Sequence, residues 1–374
     1  MTDAISSLDE LLTRDLDDIT TNLREELGRM AGKKLLITGG AGFLGYYLVQ
    51  AALHFNQSAG PGQRIAVTVW DNFTRGTPAW LTALDGRADL RLERRNLIDP
   101  LPEKMDDFQF IIHAAGIASP IYYRKYPLQT IDVNINGLRN LLDYSVRQAD
   151  LGRPVEGFLF YSSSEIYGDP SPDAIPTPED YRGNVSCTGP RACYDESKRF
   201  GETLCVNFAR QYGVPVKMAR PFNNYGPGLK ITDGRVLPDF AREVMAGRDI
   251  VMFSDGSPTR TFCYSSDAIT GYYKVLVKGR PGEPYNIGIE TPEISVAQLA
   301  DLVTGTARQL FGYTGKVVRG ASTEADYLVD NPNRRCPTIE KARRELGFNP
   351  SVPIDEGLRR ALTWYHYNRE AEDA

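Results

Sequence analysis

Histidine is scarce in this 374-residue chain: His54, His113 and His366 are the only three, too few and too scattered for a zinc cage. No metal is therefore expected. The five cysteines (Cys187, Cys193, Cys205, Cys263 and Cys336) show neither a CxxC spacing nor an even count. That excludes a disulfide framework and points to free thiols in a reducing compartment. No apolar run reaches membrane-spanning length, and no signal peptide opens the chain. Basic excess is missing as well. The formal net charge is -5 and the pI about 5.5, so no nucleic-acid footprint is expected and an anionic ligand needs a local basic site. The expected setting is cytoplasmic, with no membrane partner.

What is present is ordinary for a globular enzyme, at 41% hydrophobic and 24% charged residues. The length suits two domains, or one large α/β domain with an appended lobe. Residues 1–30 read as an acidic amphipathic helical extension. Ser7 and Glu10 form a capping-box pair, and Leu8, Leu12, Leu16, Ile19, Leu23 and Leu27 recur every three or four residues. Such a helix serves either as a partner-binding arm or as a brace laid across the body, and the brace is favoured. Its eight acidic residues speak against a mitochondrial transit peptide.

From Lys33 the pattern changes to short apolar runs alternating with helical stretches. Strands are predicted at Lys34–Thr38, Ile65–Trp70, Leu90–Arg94, Phe110–His113, Gly157–Ser162 and Val216–Ala219. Helices are predicted between them, at Leu44–Leu53, Val133–Gln148 and Asp195–Tyr212 among others. Strand–helix alternation of this kind builds an α/β fold with a doubly wound parallel sheet, the Rossmann type. After Arg220 the rhythm loosens into turn-rich pieces. The expected division is a dinucleotide-binding domain over 31–220, with a returning helix near 265–279. A smaller substrate-binding lobe over 221–370 follows.

Directly after the first strand comes Gly39-Gly40-Ala41-Gly42-Phe43-Leu44-Gly45. Gly39, Gly42 and Gly45 permit a tight turn and a close backbone approach to a pyrophosphate, which then meets the free N–H groups of a helix N-terminus. A lone glycine motif proves little, but the next strand ends in Trp70-Asp71. The Asp71 carboxylate can accept hydrogen bonds from ribose hydroxyls and repels a 2′-phosphate, which favours NAD over NADP. Arg75 nearby is the one residue that could accommodate that phosphate.

The chemical end is carried by two segments. Tyr194 and Lys198 stand four apart and share a helix face. A lysine so placed can lower the phenol's pKa, leaving Tyr194 as a general base for a sugar hydroxyl. Upstream, Tyr161-Ser162-Ser163-Ser164-Glu165-Ile166-Tyr167-Gly168 closes a predicted strand, where doubly wound sheets bind ligands.

The GxxGxxG spacing, His113-Ala114-Ala115-Gly116, Asn134, Ser163 and the Tyr194–Lys198 pair together resemble the extended short-chain dehydrogenase/reductase family. The likeness runs from Lys33 to about Tyr367 and is strongest to the nucleotide-sugar branch, in particular its UDP-glucuronate decarboxylases. Gly189-Pro190-Arg191-Ala192-Cys193-Tyr194-Asp195-Glu196-Ser197-Lys198-Arg199 is similar to the tyrosine segment of that group. The resemblance implies an NAD site formed by Gly39, Gly42, Phe43, Leu44, Gly45, Asp71, Asn72, Asn96, Leu97, Ala114, Ala115, Tyr194 and Lys198. Asn96 stands where the family usually has an acidic residue. It implies a catalytic set of Ser163, Glu165, Tyr194, Lys198 and Arg335, and substrate contacts from Ser164, Asn223, Arg235 and Arg260. Two guanidinium groups suit a diphosphate because each binds phosphate oxygens in a fork.

Arg335 falls where the decarboxylases keep an arginine implicated in decarboxylation; read without the resemblance, it is a loop arginine paired with Asp330 or Glu340. Ser164 stands where many 4,6-dehydratases place an aspartate, although GDP-mannose dehydratases also read Ser-Glu. Gly228 replaces a usual arginine after Gly226-Pro227. The expected function is decarboxylation of UDP-glucuronate to a UDP-pentose through a 4-keto intermediate. The alternatives are a nucleotide-sugar 4,6-dehydratase or epimerase, and, from a different class, an NAD-binding regulatory protein that has lost catalysis. The intact Ser163, Tyr194 and Lys198 argue against the last. A homodimer is expected by resemblance, through the helices at 133–148 and 195–212.

Overall fold

Seven parallel strands form the central sheet of the structure, a computed structural model that describes residues 7–320, 329 and 331–368. They are β1 (Lys34–Thr38), β2 (Ala66–Asp71), β3 (Leu90–Arg94), β4 (Phe110–His113), β5 (Gly157–Tyr161), β6 (Val216–Pro221) and β7 (Pro284–Ile287). Their spatial order is β7-β6-β5-β4-β1-β2-β3. The chain starts at β1, winds outward through β2 and β3, then crosses back to β4 on the other side. β1 and β4 therefore flank the switch point where such sheets open a crevice beyond their carboxyl ends. Leu35 sits opposite Phe110 and Thr38 opposite His113, which aligns those ends.

Residue type explains each strand's place. β4 and β5 are buried along their whole length, as central parallel strands covered on both faces require. β3, Leu-Arg-Leu-Glu-Arg, alternates and stays half-exposed at the edge. The strand β7 is absent from the sequence-based expectation. It is four residues long and opens with a proline, so it carries too little period to be seen, yet it pairs in register with Met218–Pro221.

The main helices are α1 (Leu8–Asn22), α2 (Arg24–Met30), α3 (Gly45–Ser58), α4 (Leu138–Asp150), α5 (Ala192–Tyr212), α6 (Ser265–Lys278) and α7 (Ile354–Asn368). The helix expected over Val133–Gln148 is corrected. Residues Val133–Gly137 form a π turn, and α4 begins only after it. The wide turn lets the buried Asn134 amide donate to Ser197 Oγ of α5 at 2.9 Å. α5 stops where Gly213 takes a left-handed conformation, φ 68°. α6 packs back against the main sheet, since Ile269, Tyr272, Tyr273 and Leu276 share a core with Leu35 and Ile37. A second core gathers Leu237, Phe240, Leu299, Val303, Leu358 and Leu362 around helices of the later residues.

The single helix expected over residues 1–30 is two. Residues 1–6 lie outside the described residues, the Ser7 hydroxyl accepts from the Glu10 N–H at 3.2 Å, and the helix breaks at Leu23. Leu11, Ile19, Leu23, Leu27 and Met30 are fully buried, so both pieces lie against the body. Asp15 faces inward without exposure and is held by Tyr47 of α3 (2.5 Å), Tyr264 (2.7 Å) and Arg360 of α7 (2.5 Å).

Candidate active site

A cavity of about 1950 Å³ runs from the glycine loop to the later residues. Every residue the sequence singles out for cofactor, substrate or chemistry lines it. At one end the loop after β1 turns into α3. Gly39 has φ 72°, and a Cβ there would stand 2.6 Å from the Ala115 backbone, so only glycine lets this loop close on the end of β4. Gly45 fits against the Gly40 backbone with no room for a side chain. The N-terminus of α3 has no side-chain cap and faces the cavity, which leaves it open to a pyrophosphate. Asp71 ends β2 and accepts from Ala41 N–H (3.0 Å) and Phe73 N–H (2.8 Å). These bonds fix its carboxylate at the cavity wall with lone pairs to spare for ribose hydroxyls. Asn96 and Leu97 line the cavity beyond it, and Asn140 holds the Leu97 carbonyl at 2.9 Å. Arg75 turns toward Asp233 (3.6 Å) and lies over the Tyr122 ring, 4.6 Å from its centre. The residues present therefore fit a dinucleotide.

At the other end the chemistry gathers around the first turns of α5. Tyr194 is buried, stacks on Tyr123 with ring centres 5.2 Å apart, and shares a hydrogen bond with Ser163. Ser163 caps the short 3₁₀ turn that carries Ser164 and Glu165, accepting from the Glu165 N–H at 3.1 Å. Lys198 places its ammonium 5.8 Å from the Tyr194 ring centre and donates to the Tyr161 carbonyl at 2.7 Å. Burial raises the phenol to about 12, against a hydrogen bond to Ser163 that lowers it, and burial pushes the Lys198 amine down to about 7.

Glu165 is clamped between two guanidinium groups, Arg191 and Arg335, each in direct contact with one carboxylate oxygen. Despite its burial, those charges hold its carboxyl down to about 2, so it is an anion and not a proton donor. Arg335 is 3% exposed and also donates to the Gly168 carbonyl at 3.2 Å. Its partner is thus Glu165, not Glu340, and Asp330 lies outside the described residues. The two-residue strand Arg334–Arg335 pairs in parallel with Thr259–Arg260, which sets Arg335 beside Arg260. Arg260 is buried and donates to the carbonyls of Thr259, Pro332 and Asn333. Burial and the neighbouring Arg335 depress it to about 10, so a buried cation here favours an anionic ligand. With Asp195, 3.7 Å from Arg191, three guanidiniums face two carboxylates in this corner. Arg235 pairs with Asp233 at 2.8 Å, and Asn223 donates to Thr261 O at 2.9 Å.

Sequence reasoning gave no role to Arg191 or Tyr123. Arg191 stood three residues before Tyr194, which is one helical turn away, and that spacing was the available signal. Among the described residues, no group of three or more His, Cys, Asp or Glu side chains is arranged to hold a metal. No described helix is long and apolar enough to cross a membrane.

The fold and this site define a Rossmann-type α/β protein of the short-chain dehydrogenase kind, with Ser163 bonded to Tyr194 and Lys198 one helical turn further along. The chain belongs to the NAD dependent epimerase/dehydratase family, whose sequence pattern matches residues 35–288. It is 35% identical over 340 residues to UDP-glucuronic acid decarboxylase 1 of Xenopus tropicalis, covering 91% of this chain and 73% of the relative. Identity to UDP-glucuronic acid decarboxylase 3 of Arabidopsis thaliana is 36%, over 87% of this chain and 86% of the relative. Among solved structures, the Streptomyces venezuelae dTDP-glucose 4,6-dehydratase DesIV, crystallised with NAD, superposes with a TM-score of 0.75. The two are 26% identical over 90% of this chain and 98% of that one. The epimerase Mth375 of Methanothermobacter thermautotrophicus gives a TM-score of 0.77 at 26% identity, over 95% and 98%.

Proposed function

We infer that this protein is an NAD-dependent, lyase-class enzyme that decarboxylates UDP-glucuronate to a UDP-pentose. The observation that carries the reading is the buried cationic corner beside Tyr194, in which Arg335 meets Glu165. A neutral-sugar epimerase needs no such charge. A dehydratase needs an acid for the leaving hydroxyl, and this corner offers Ser164 and a Glu165 held ionised. The relatives named above, at 35–36% identity, support the same choice.

The glycine loop, Asp71, Asn72, Asn96, Leu97, Ala114, Ala115 and Lys198 would hold NAD, and Asp71 favours it over NADP. When bound, NAD supplies the acceptor and later the donor of a hydride at sugar C4. Tyr194 accepts the C4 hydroxyl proton and returns it at the end of the cycle, with Ser163 bridging phenol and substrate oxygen. Lys198 supports the phenolate by charge. With C4 a ketone, the C5 carboxylate is β to it, and carbon dioxide leaves an enolate that the ketone stabilises. Arg335 recognises the carboxylate and must release it as a neutral molecule. Arg235 and Arg260 take the diphosphate, with Asn223 and Ser164 beside the sugar. Addition of a solvent proton to the enolate at C5, with the hydride that bound NAD would give back at C4, would close the cycle without net oxidation. Resemblance to the family adds a homodimer, and the five free cysteines favour a reducing, cytoplasmic setting.

Incubation with a panel of nucleotide sugars and mass analysis of the products tests this. UDP-glucuronate should lose carbon dioxide, and Arg335→Ala should abolish that loss while NAD binding survives. If UDP-glucuronate is untouched and a neutral nucleotide sugar is converted, the decarboxylase reading gives way to a dehydratase or epimerase.

A further inference from the structure

Between the two ends of the cavity, one buried carboxylate is shared by two arginines that serve different ligands. Asp233 has a side chain 4% exposed, and its two oxygens face opposite ways. Oδ1 meets Arg235 Nε at 2.8 Å and Oδ2 meets Arg75 Nη1 at 3.6 Å. Arg75 belongs to the loop that follows Asp71 and Asn72, on the dinucleotide side. Arg235 begins the helix Val236–Met245 on the other side, with its guanidinium over the Phe43 ring at 5.8 Å. Phe43 itself lies in the glycine loop, so both arginines touch the dinucleotide wall.

The segment around Asp233 is fastened to that wall by further bonds. Ser119, in the loop after β4, donates to the Asp233 carbonyl at 2.6 Å in a buried contact. Lys230 Nζ donates to the Arg75 carbonyl at 3.0 Å. Gly234 has φ 83°, and a Cβ there would come within 2.5 Å of Ile121, so the turn lies flat on the segment that follows Ser119. The loop 230–235 therefore crosses the cleft and clasps the loop that would cover the dinucleotide. The two ion pairs are unequal, since the Arg235 contact is shorter by almost an ångström.

We propose that Asp233 couples the two ligand seats, so that a nucleoside diphosphate held by Arg235 tightens the clasp of Arg75 over the dinucleotide. The idea rests on the reading that Arg235 meets a diphosphate. Phosphate oxygens compete for the Arg235 fork and draw it away from Asp233. The buried carboxylate then turns to Arg75, and the 3.6 Å contact closes. Closing draws the loop after Asp71 onto loop 230–235, across the exit path of the dinucleotide. The coupling is a free energy between sites and is reciprocal for binding. Arg75 and Asp233 act here as positioning residues, since neither is required to touch a reacting atom. In this role Arg75 serves the nucleotide-sugar site and not a 2′-phosphate.

Release of NAD from the holoenzyme tests this. The protein is diluted into a trap that reduces free NAD, with and without saturating UDP, and binding of UDP is measured separately by calorimetry. UDP should slow NAD release from the wild type by about fivefold or more, the lower end of ordinary coupling between sites. Arg75→Ala, at a half-exposed position, should fold and bind UDP yet release NAD at one rate regardless of UDP. Asp233→Asn should behave the same way. If Arg75→Ala keeps the full UDP effect, or if the wild type binds UDP with no change in NAD release, the coupling is overturned and the nucleotide-sugar reading stands. If UDP does not bind at all, the diphosphate reading falls and the coupling falls with it.

Discussion

Two residues at the centre of the site can be tested one atom at a time. Tyr194→Phe deletes only the phenol oxygen, and the stack on Tyr123 survives because the ring stays. Substrate binding should persist while turnover drops by about 10²–10⁴-fold, the usual cost of a lost general base. Retention of most of the turnover would remove Tyr194 from the chemistry. Lys198 gives a pH signature instead. Burial sets its folded value at about 7 against 10.5 for the free side chain. Below pH 7 both folded and unfolded chains hold the proton, so the folded state bears the full cost of a buried ammonium. Between 7 and 10.5 the folded state sheds the proton first, and that cost fades as pH rises. Lys198→Met in the NAD-free protein should therefore raise the melting temperature more at pH 6 than at pH 9. Equal shifts at both pH values would show that the charge carries no such cost. The bond to the Tyr161 carbonyl is stronger from the ammonium than from the amine, and the folded value of about 7 already includes that difference.

At the level of elements, α1 sets one fully buried carboxylate, Asp15, into its apolar seam. Asp15 joins Tyr47 of α3, Tyr264, and Arg360 of α7, so the acidic helix ties the dinucleotide side to the C-terminal helix. Asp15→Ala leaves the Arg360 guanidinium buried with Glu356 at 2.9 Å and the exposed Asp18 at 3.9 Å. Breaking a buried pair in this way costs about 3–5 kcal/mol, read from urea unfolding. A loss under 1 kcal/mol would mean that the buried Leu11 and Ile19, with the surface pairs Arg14–Glu356 and Asp17–His54, hold the helix without it. None of this was legible in the sequence. The leucine spacing gave the amphipathic helix, but Asp15 reads there as one more solvated charge, because its partners lie far along the chain. The same limit explains the rest. β1, β2, β4 and β5 were legible because strands covered on both faces read as short, mostly apolar runs, and Tyr194 with Lys198 was legible because the pair is local. β7 has four residues, the π turn at Val133–Gly137 keeps helical spacing, and the Glu165–Arg335 contact joins segments with no shared period. Local spacing shows which groups share a helix face; only folding shows which carboxylate meets which arginine.

For the whole molecule, an acidic chain with net charge -5 needs local groups to hold an anion, and Arg191, Arg260 and Arg335 gather three guanidiniums in one corner. The outer surface carries a different signal. Leu151, just past α4, is 61% exposed, and Phe200 and Tyr212 on α5 are 49% and 48% exposed. We propose that a second copy of this chain covers these apolar side chains. Those helices are the ones the family resemblance assigns to a dimer, so light scattering should give the mass of two chains. Phe200 lies two residues from Lys198, about 200° round the helix at 3.6 residues per turn, and so points away from the chemistry. Phe200→Glu should therefore yield monomers that still bind NAD. A wild-type protein that scatters as a single chain at working concentration would end the dimer assignment. A Phe200→Glu variant that stays dimeric would move the interface elsewhere.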